Sequence, residues 1–370
     1  MKIFLAGDIS PTDLSEPKLI SGDPRDAFGG VVDLVKGADL FIVNLECALT
    51  ECDTRIRKYG PNLKASPKVA QTLKDMGVTD VGICNNHVYD FGHQGFVDTM
   101  AALDAVGLPY TGVGENEQAA RKPHYMKVGE KTIALVAVCE HEYSYALHDR
   151  EGCWGFDPFE TMEDITTAKE NSDFVIVFYH GGKEQSLYPS PRLRKACQGM
   201  VRAGADLVLC QHSHCIGVRE DYRGANIVYG QGNFHFIGLP GFSEHPHWRN
   251  GLFIELDLDE EMNATYTYHA LKDCGDHVDL CNEEENAKVV GDFLARTETL
   301  LDYDAWMAEW IAFCEEKRDQ YQNAVDIAFR EGEFEGQTPN QLFPHYLDCE
   351  AHTDVWRQLY PTWNGDNTLE

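Results

Sequence analysis

Residues 207–214 read Leu-Val-Leu-Cys-Gln-His-Ser-His, an apolar run directly before two histidines that stand two positions apart. Residues 174–180, Phe-Val-Ile-Val-Phe-Tyr-His, repeat the arrangement and end on His180. Continuous apolar runs of this length are typical of strands buried on both faces. We therefore expect each polar residue to mark the point where a buried strand ends.

The same arrangement recurs through the first two-thirds of the chain. The predicted strands are 2–6, 40–43, 80–84, 132–138, 174–179, 207–210, 227–229 and 252–258, and the last forms a hairpin with 264–270. Helical patterns at 68–76, 95–106 and 192–203 lie between some strands, and each is followed by a glycine that can cap it. This alternation predicts an α/β domain.

Composition limits the classes of partner. The 370 residues are 43% hydrophobic and carry a formal net charge of −30, which argues against nucleic-acid binding because that needs clustered Lys and Arg. A small or polymeric anionic substrate is still compatible, since bound cations can dominate the local field. The N-terminal apolar run is too short for a signal peptide and no run is long enough for a membrane span, so we expect a cytoplasmic protein. The oligomeric state stays open.

Six predicted strand ends carry polar side chains that would meet at one sheet edge, where α/β sheets bind ligands. Each residue alone has an ordinary explanation as a cap, turn or loop residue, but their joint occurrence predicts a metal site. Carboxylate, amide and imidazole ligands without thiolate suit Mn, Fe, Zn or Ni, and six ligands suffice for two ions sharing a carboxylate. The side chains are Asp8, Glu46, Asn86 with His87, His180, His212 with His214, and Asn233.

These residues belong to motifs that resemble the CapA family, which is associated with capsule and poly-γ-glutamate synthesis and is related to the calcineurin-like metallophosphoesterases. The resemblance covers roughly residues 1–258 and implies a four-layer α/β/β/α sandwich with two mixed sheets. The motifs are Gly-Asp (7–8), Asn-Leu-Glu (44–46), Asn-Asn-His-x-x-Asp-x-Gly (85–92), His-x-Gly-x-Glu (180–184), His-x-His (212–214) and Gly-Asn-Phe (232–234).

The resemblance also implies roles for individual residues. Two divalent metal ions would be bound by Asp8, Glu46, Asn86, His180, His212 and His214, with Glu46 as the bridging carboxylate. His87 would protonate the leaving group. Substrate contact or support of the ligands would come from Asn85, Asp90, Glu184 and Asn233. Arg55 and Arg57, in a basic segment that follows the Glu46 loop, would steady an anion.

The chain departs from the family pattern at three points. Where the family usually has His-Trp-Gly, residues 180–182 are His-Gly-Gly, and where it has Gly-His-His-Pro-His, residues 210–214 are Cys-Gln-His-Ser-His. The phosphoesterase pattern Asp-x-His is absent at the first strand, since Ile9 and Ser10 follow Asp8. We therefore expect one metal position to have a ligand fewer.

We divide the chain into a CapA-like metallophosphoesterase-fold domain, residues 1–273, and an acidic, mainly helical C-terminal extension, residues 274–370. Residues 276–370 hold 22 acidic and 6 basic side chains, a net charge of −16. An amphipathic helical pattern runs from about Glu283 to Arg330, and Trp306 and Trp310 are expected to pack in a core. No motif in the extension indicates a chemical role.

Three functions follow as hypotheses. The first is a phosphoesterase-like hydrolase in which a metal-bound hydroxide at a dinuclear site attacks an ester. The second keeps the metals but acts in capsule or poly-γ-glutamate synthesis or processing, on a γ-glutamyl or amide-linked polymer. The third is a non-enzymatic scaffold on the same fold, although a scaffold has no physical need for converging metal ligands.

Overall fold

The computed structural model describes residues 1–327 and 339–361. Strands occupy mainly the first 280 residues. They are β1 (Lys2–Ile9), β2 (Leu40–Leu45), β3 (Ala48–Leu49), β4 (Lys64–Ala65), β5 (Asp80–Gly82), β6 (Tyr110–Thr111), β7 (Val113–Gly114), β8 (His124–Val128), β9 (Lys131–Cys139), β10 (Gly152–Cys153), β11 (Phe174–His180), β12 (Leu207–Gln211), β13 (Arg219–Tyr222), β14 (Ala225–Val228), β15 (Asn233–His235), β16 (Asn250–Leu258), β17 (Ala264–Asp273) and β18 (Val278–Leu280).

Within residues 1–327 and 339–361, eight helices lie between these strands and five follow them. They are α1 (Glu16–Leu19), α2 (Pro24–Phe28), α3 (Val31–Leu34), α4 (Val69–Asp75), α5 (Gly92–Ala105), α6 (Glu117–Ala120), α7 (Pro158–Glu170), α8 (Pro191–Ala203), α9 (Glu283–Leu301), α10 (Tyr303–Glu316), α11 (Arg318–Ile327), α12 (Pro339–Asp348) and α13 (Glu350–Leu359). The predicted strands and the three predicted helices are confirmed, with ends that differ by a few residues. The helical pattern from 283 is confirmed to Ile327, and 328–330 lie outside the described residues.

Two mixed sheets carry the fold, as predicted. The larger runs β18-β17-β16-β1-β2-β5-β6, with β15 also paired to β1, and the smaller runs β13-β14-β12-β11-β9-β8. Parallel pairing joins β15, β1, β2, β5 and β6 in the first sheet and β14, β12, β11 and β9 in the second. The ends of β1, β11 and β12 therefore carry the predicted polar residues at the carboxyl edges of parallel strands.

Helices cover the outer faces of both sheets. On the larger sheet, the Phe28 ring of α2 stacks on Phe234 at 5.2 Å. The opposite face meets the smaller sheet, since a β-carbon on Gly82 would lie 3.0 Å from the ring of Phe178. Beyond the smaller sheet lies α8, whose Cys197 Sγ is 3.6 Å from Cys210 Sγ on β12. This is the predicted four-layer α/β/β/α sandwich.

The end of β1 depends on a glycine. A β-carbon on Gly7 would lie 2.1 Å from the carbonyl oxygen of Gly232, closer than any side chain permits. That approach places β15 beside β1, with Asn233 opposite Asp8 in the ladder. The strand register there shifts between Asp8 and Ile9. The backbone thus brings two predicted site residues from distant parts of the chain side by side.

The C-terminal extension packs on the sandwich through α9, which contacts β17 and β13. Its other helices share a separate apolar cluster that includes Trp310, Tyr321, Tyr346 and Val355. The larger sheet continues beyond residue 273 to β18, so the division of the chain at 273 stays a prediction. Within the described ranges, no helix combines the length and apolar character that crossing a bilayer requires.

Candidate metal centre

The two sheets meet at a buried pair of predicted ligands. Asp8 stands near the end of β1 and His180 ends β11, and Asn44 of β2 connects them. The Asn44 side-chain amide donates to Asp8 Oδ1 at 2.7 Å and lies 3.2 Å from His180 Nδ1. All three side chains are buried. Asn44 therefore sets the orientation of both predicted ligands, although it was not among the predicted site residues.

Glu46 lies at the centre of this region and is completely buried. Neither of its carboxylate oxygens has a hydrogen-bond donor among the described residues. Its Oε1 lies 3.2 Å from His180 Nε2 and 3.8 Å from His214 Nε2. Burial, followed by the nearby Asp8 carboxylate, raises the pKa of Glu46 to about 8. A buried carboxylate without donors is costly unless a proton or a cation neutralises it.

The ligand atoms of Glu46, His212 and His214, which we call the core cluster, lie within 4.8 Å of one another. Two imidazoles and a carboxylate form a ligand set typical of a divalent transition metal. The unsatisfied oxygens of Glu46 and the short spacing of the cluster both fit a cation at this place. The residues present therefore fit the metal ions that the resemblance implies.

Both histidines after β12 have strained backbones. The φ angles of His212 and His214 are 78° and 51°, in the left-handed region that non-glycine residues rarely adopt. Asp8 stabilises the turn, because its Oδ2 accepts the backbone N–H of His212 at 3.0 Å. His214 Nδ1 lies 2.9 Å from Asn233 Oδ1, which holds the imidazole. Strain of this kind persists where surrounding contacts fix it, and it is common at functional sites.

The loop after β5 adds two asparagines. Asn86 Oδ1 lies 3.0 Å from His180 Nε2, and its amide donates to Glu142 Oε2 at 2.9 Å. Asn85 supports the loop, since its Oδ1 accepts the backbone N–H of His87 at 3.1 Å. The structure thus places Asn86 among the predicted ligands and Asn85 behind them.

His87 belongs to a buried triad with Asp90 and Lys58. Its Nδ1 lies 2.7 Å from Asp90 Oδ2, and the Lys58 ammonium donates to the other Asp90 oxygen at 2.5 Å. Burial lowers the pKa of His87, and the Lys58 ammonium lowers it further, while Asp90 offsets part of both effects. The carboxylate fixes the imidazole and leaves Nε2 as the nitrogen available for a proton transfer.

A cavity of about 210 Å³ adjoins these residues. It is lined by His87, Lys58 and Glu184, and by Lys183, whose buried ammonium pairs with Glu184. The Lys183 ammonium lowers the pKa of Glu184 against the opposing effect of burial. Helix α12 and helix α13 supply further lining, so the extension closes one side of the cavity.

Two predicted residues lie elsewhere. Arg55 and Arg57 are exposed, and Arg57 lines a neighbouring groove with Tyr145 rather than the cavity. Lys58, one position further along the same segment, is the cation that reaches His87. Hydrophobic patterning could not distinguish among these neighbouring cations, because their loop has no regular structure.

Glu142 was also missed in the sequence. Its Oε1 lies 3.6 Å from His212 Nε2, and its carboxylate also accepts from Asn86. The signal was available, because Glu142 follows the predicted strand 132–138, just as Glu46 follows 40–43. Applying the strand-end rule to this strand would have found it.

The glycine that replaces the family tryptophan has a structural reason. A β-carbon on Gly181 would lie 2.5 Å from Glu140 Cγ and 2.8 Å from Tyr179 Cε1. Glu140 in turn accepts the backbone N–H of Ala351 in α13 at 3.1 Å. The space at Gly181 is thus taken by a carboxylate that holds the extension.

Two layered sheets form the α/β/β/α sandwich, and a buried cluster of one carboxylate and two histidines, a candidate metal site, lies where they meet. The chain belongs to the family described as bacterial capsule synthesis protein PGA_cap, whose profile matches residues 2–237. This confirms the resemblance derived from the motifs.

Two curated relatives are similar to about half of this chain. The capsule biosynthesis protein CapA of Bacillus anthracis is 30% identical over 56% of this chain and 53% of its own. The PGA biosynthesis protein CapA of Bacillus subtilis is 33% identical over 47% of each chain. The chain thus spans about half the length of these relatives.

Among solved structures, a phosphatase from Mycoplasma pneumoniae matches with a TM-score of 0.48 and 14% identity, over 74% of this chain and 95% of that one.

Proposed function

We propose that this chain is a metal-dependent hydrolase that cleaves a small phosphate ester at a dinuclear metal site. The observation that carries the proposal is Glu46, a fully buried carboxylate with no hydrogen-bond donor among the described residues, set among three histidines. A buried carboxylate of this kind is stabilised by a bound cation. A buried cation site beside a cavity is an arrangement that can support hydrolysis of a bound substrate.

The ions would be divalent metals of the Mn, Fe, Zn or Ni class. When bound, they supply Lewis acidity that activates water and stabilises charge on the phosphoryl oxygens. The residues proposed to hold them are Asp8, Glu46, Asn86, His180, His212 and His214. Asn44 keeps Asp8 and His180 in position, and Asn233 does the same for His214.

His87 is proposed as the proton donor. With Nδ1 donating to Asp90, Nε2 carries a proton in the imidazolium form, and it would give that proton to the departing oxygen and leave the ring neutral. A lowered pKa makes the imidazolium a stronger acid, and the Asp90 carboxylate keeps the ring protonated more often than burial alone would allow.

The cavity indicates a small substrate. Its volume of about 210 Å³ admits a compact ester or a chain end, not a length of polymer. The buried ammonium groups of Lys58 and Lys183 line it, so an anionic group meets positive charge there despite the net charge of −30. Asp90 and Glu184 neutralise part of that positive charge. The two ammonium groups alone would therefore bind an anion weakly, and a substrate anion would also need to contact the metal ions.

The experiment is a substrate screen with chelator-treated chain reloaded separately with Mn, Fe, Zn and Ni. p-Nitrophenyl phosphate and bis-p-nitrophenyl phosphate test ester cleavage. His214→Ala should abolish the metal-dependent rate, while His93→Ala, on the exposed surface, serves as the matched control. Metal-independent turnover, or turnover unaffected by His214→Ala, would contradict the proposal.

A second candidate is a factor for capsule or poly-γ-glutamate synthesis or processing that acts on a γ-glutamyl amide. The family and the name of the Bacillus subtilis relative favour it. Two metals serve acyl transfer as well as phosphoryl transfer. Turnover of γ-glutamyl-p-nitroanilide without turnover of either phosphate ester would put this candidate first. Bound metal without any turnover would favour a scaffold.

A further inference from the structure

A second group of metal-type ligands lies where the extension meets the sandwich. Glu142, which follows β9, approaches His345 of α12 and His352 of α13. We call these three residues the extension cluster. One ligand atom from each lies within 4.8 Å of the others. Glu142 and His352 are buried and His345 is half-buried.

The two imidazoles of the extension cluster face each other through one ring nitrogen each. His352 Nε2 lies 3.1 Å from His345 Nε2. Two nitrogen lone pairs at this distance repel unless a proton or a cation lies between them. The hydroxyl of Tyr321 lies 2.6 Å from His352 Nδ1 and fixes that ring, as an outer hydrogen-bond partner does for a metal-binding histidine.

Among the described residues, the carboxylate of the extension cluster accepts no hydrogen bond from a cationic side chain. Its hydrogen-bond donors are neutral, the Asn86 amide at 2.9 Å and the Cys349 thiol at 3.2 Å. The His212 ring is further away, with its Nε2 3.6 Å from Glu142 Oε1. A buried carboxylate served by neutral donors gains more from an added cation than a carboxylate that already has an ion pair.

We propose that Glu142, His345 and His352 bind a divalent cation of the zinc class, next to the candidate metal centre but through three ligands that are not among the six proposed for that centre. Two histidines and a carboxylate are a common zinc ligand set with a position left open. Because the ligands come from both sides of the contact, the ion ties α12 and α13 to the sandwich and so holds the extension against the cavity.

Other contacts already place α13, which makes the site preformed. His141 donates its backbone N–H to Glu350 Oε2 at 2.9 Å, and Arg192 Nε donates to Asp354 Oδ2 at 2.8 Å. The ion therefore strengthens a docked extension rather than creating the contact. This proposal does not require that the core cluster bind metal or that the chain be a hydrolase.

The test uses full-length chain, stripped with chelator and reloaded with zinc alone. Zinc content is measured in wild type, in His345→Ala/His352→Ala, and in a control double variant at two exposed histidines, His93→Ala/His148→Ala. The extension double variant should lose about one zinc per chain. The control should lose none, and equal zinc in the two double variants would overturn the proposal.

A core double variant, His212→Ala/His214→Ala, separates this site from the proposed active site. It should keep about one zinc that is lost when the extension substitutions are added. Zinc should also slow amide hydrogen exchange in α13 of the core double variant. This measurement can be made even if the extension double variant does not fold. If zinc does not change amide hydrogen exchange in α13, the proposal is overturned. This outcome is independent of the effect of the core double variant on the rate of hydrolysis.

Discussion

The core cluster and the extension cluster have the same ligand types in different settings. Each has one carboxylate and two histidines within 4.8 Å. The core residues all follow strands whose register is fixed by neighbouring strands on a buried sheet edge. The extension cluster draws Glu142 from a strand end and both histidines from helices that dock from outside. Strand ends therefore give a rigid centre suited to chemistry, while the docked helices give a site whose geometry depends on the contact itself.

The sharpest contrast should appear in catalysis. His87→Gln should lower kcat by about 10²- to 10⁴-fold on a phosphate ester, because Nε2 can no longer supply a proton. Metal content should stay at the wild-type level, since His87 is not among the proposed ligands. Steady-state kinetics and elemental analysis measure both, and His93→Gln is the control. An unchanged kcat would remove His87 from the reaction.

The contact between the sandwich and the C-terminal extension should be weakened most by substitution of Arg192. Its guanidinium pairs with Glu140 and Asp354, both buried, and donates to Tyr179. Arg192→Met leaves two buried carboxylates without a cation, and we expect docking of α13 to weaken by about 3–5 kcal/mol. Amide hydrogen exchange of residues 350–359 measures the loss.

A matched control for that experiment lies within the sandwich. Arg121 pairs with Asp164 at 2.9 Å, away from the extension, so Arg121→Met should destabilise the chain without selectively exposing α13. If both variants accelerate exchange in α13 equally, Arg192 is not a specific anchor of the extension.

A buried histidine outside both clusters sharpens the comparison because it has no proposed ligand role. His235, on β15, is fully buried, and neither ring nitrogen has a partner among the described residues. Burial lowers its pKa to about 4. The unfolded chain, with an ordinary histidine pKa near 6.5, binds the proton more readily, so stability is present above that value and is lost as the pH falls through 6.5 towards 4.

His235→Leu should therefore reduce the acid sensitivity of folding. The loss of unfolding free energy between pH 7.5 and pH 4 should shrink by about 3 kcal/mol relative to wild type. Urea unfolding at several pH values measures the difference, with exposed His93→Leu as control. An identical pH dependence in His235→Leu and wild type would show that this residue titrates normally.

The smallest effect is expected from a residue that supports the core ligands. Asn44→Ala removes the amide that holds Asp8 and His180, and metal affinity should fall by about 10- to 100-fold. Competition with a chromogenic chelator measures the affinity. Asn62→Ala, which loses only hydrogen bonds to loop carbonyls, is the control and should bind metal normally. Normal affinity in Asn44→Ala would mean that the ligands are held by the strands alone.

The two clusters also differ in how many of their residues could be predicted from the sequence. Buried strands followed by Asp8, Glu46 and His180 carry a local signal, because periodicity locates the strand and parallel pairing locates its end. Glu142 had this signal and was overlooked. His345 and His352 had none, since amphipathic helices reveal a buried face but not the part of the sandwich on which it docks.

Lys58 shows a second limit. Its ammonium reaches His87 because a loop without regular structure folds back over residues 87–90. Contacts made by such a loop leave no periodic pattern in the sequence from which they could be predicted. The left-handed backbone of His212 is a similar case, since Asp8, a residue from the other sheet, accepts its backbone N–H.

Anomalous X-ray diffraction from crystals soaked in manganese or zinc would show whether two metal ions bind at Glu46. We expect two peaks beside Glu46, about 3.5–4 Å apart, with His212 and His214 among the ligands. The same peaks should be absent in His212→Ala/His214→Ala crystals. A Glu46 carboxylate that stays free of metal in fully soaked crystals would contradict the metal-dependent hydrolase proposed here.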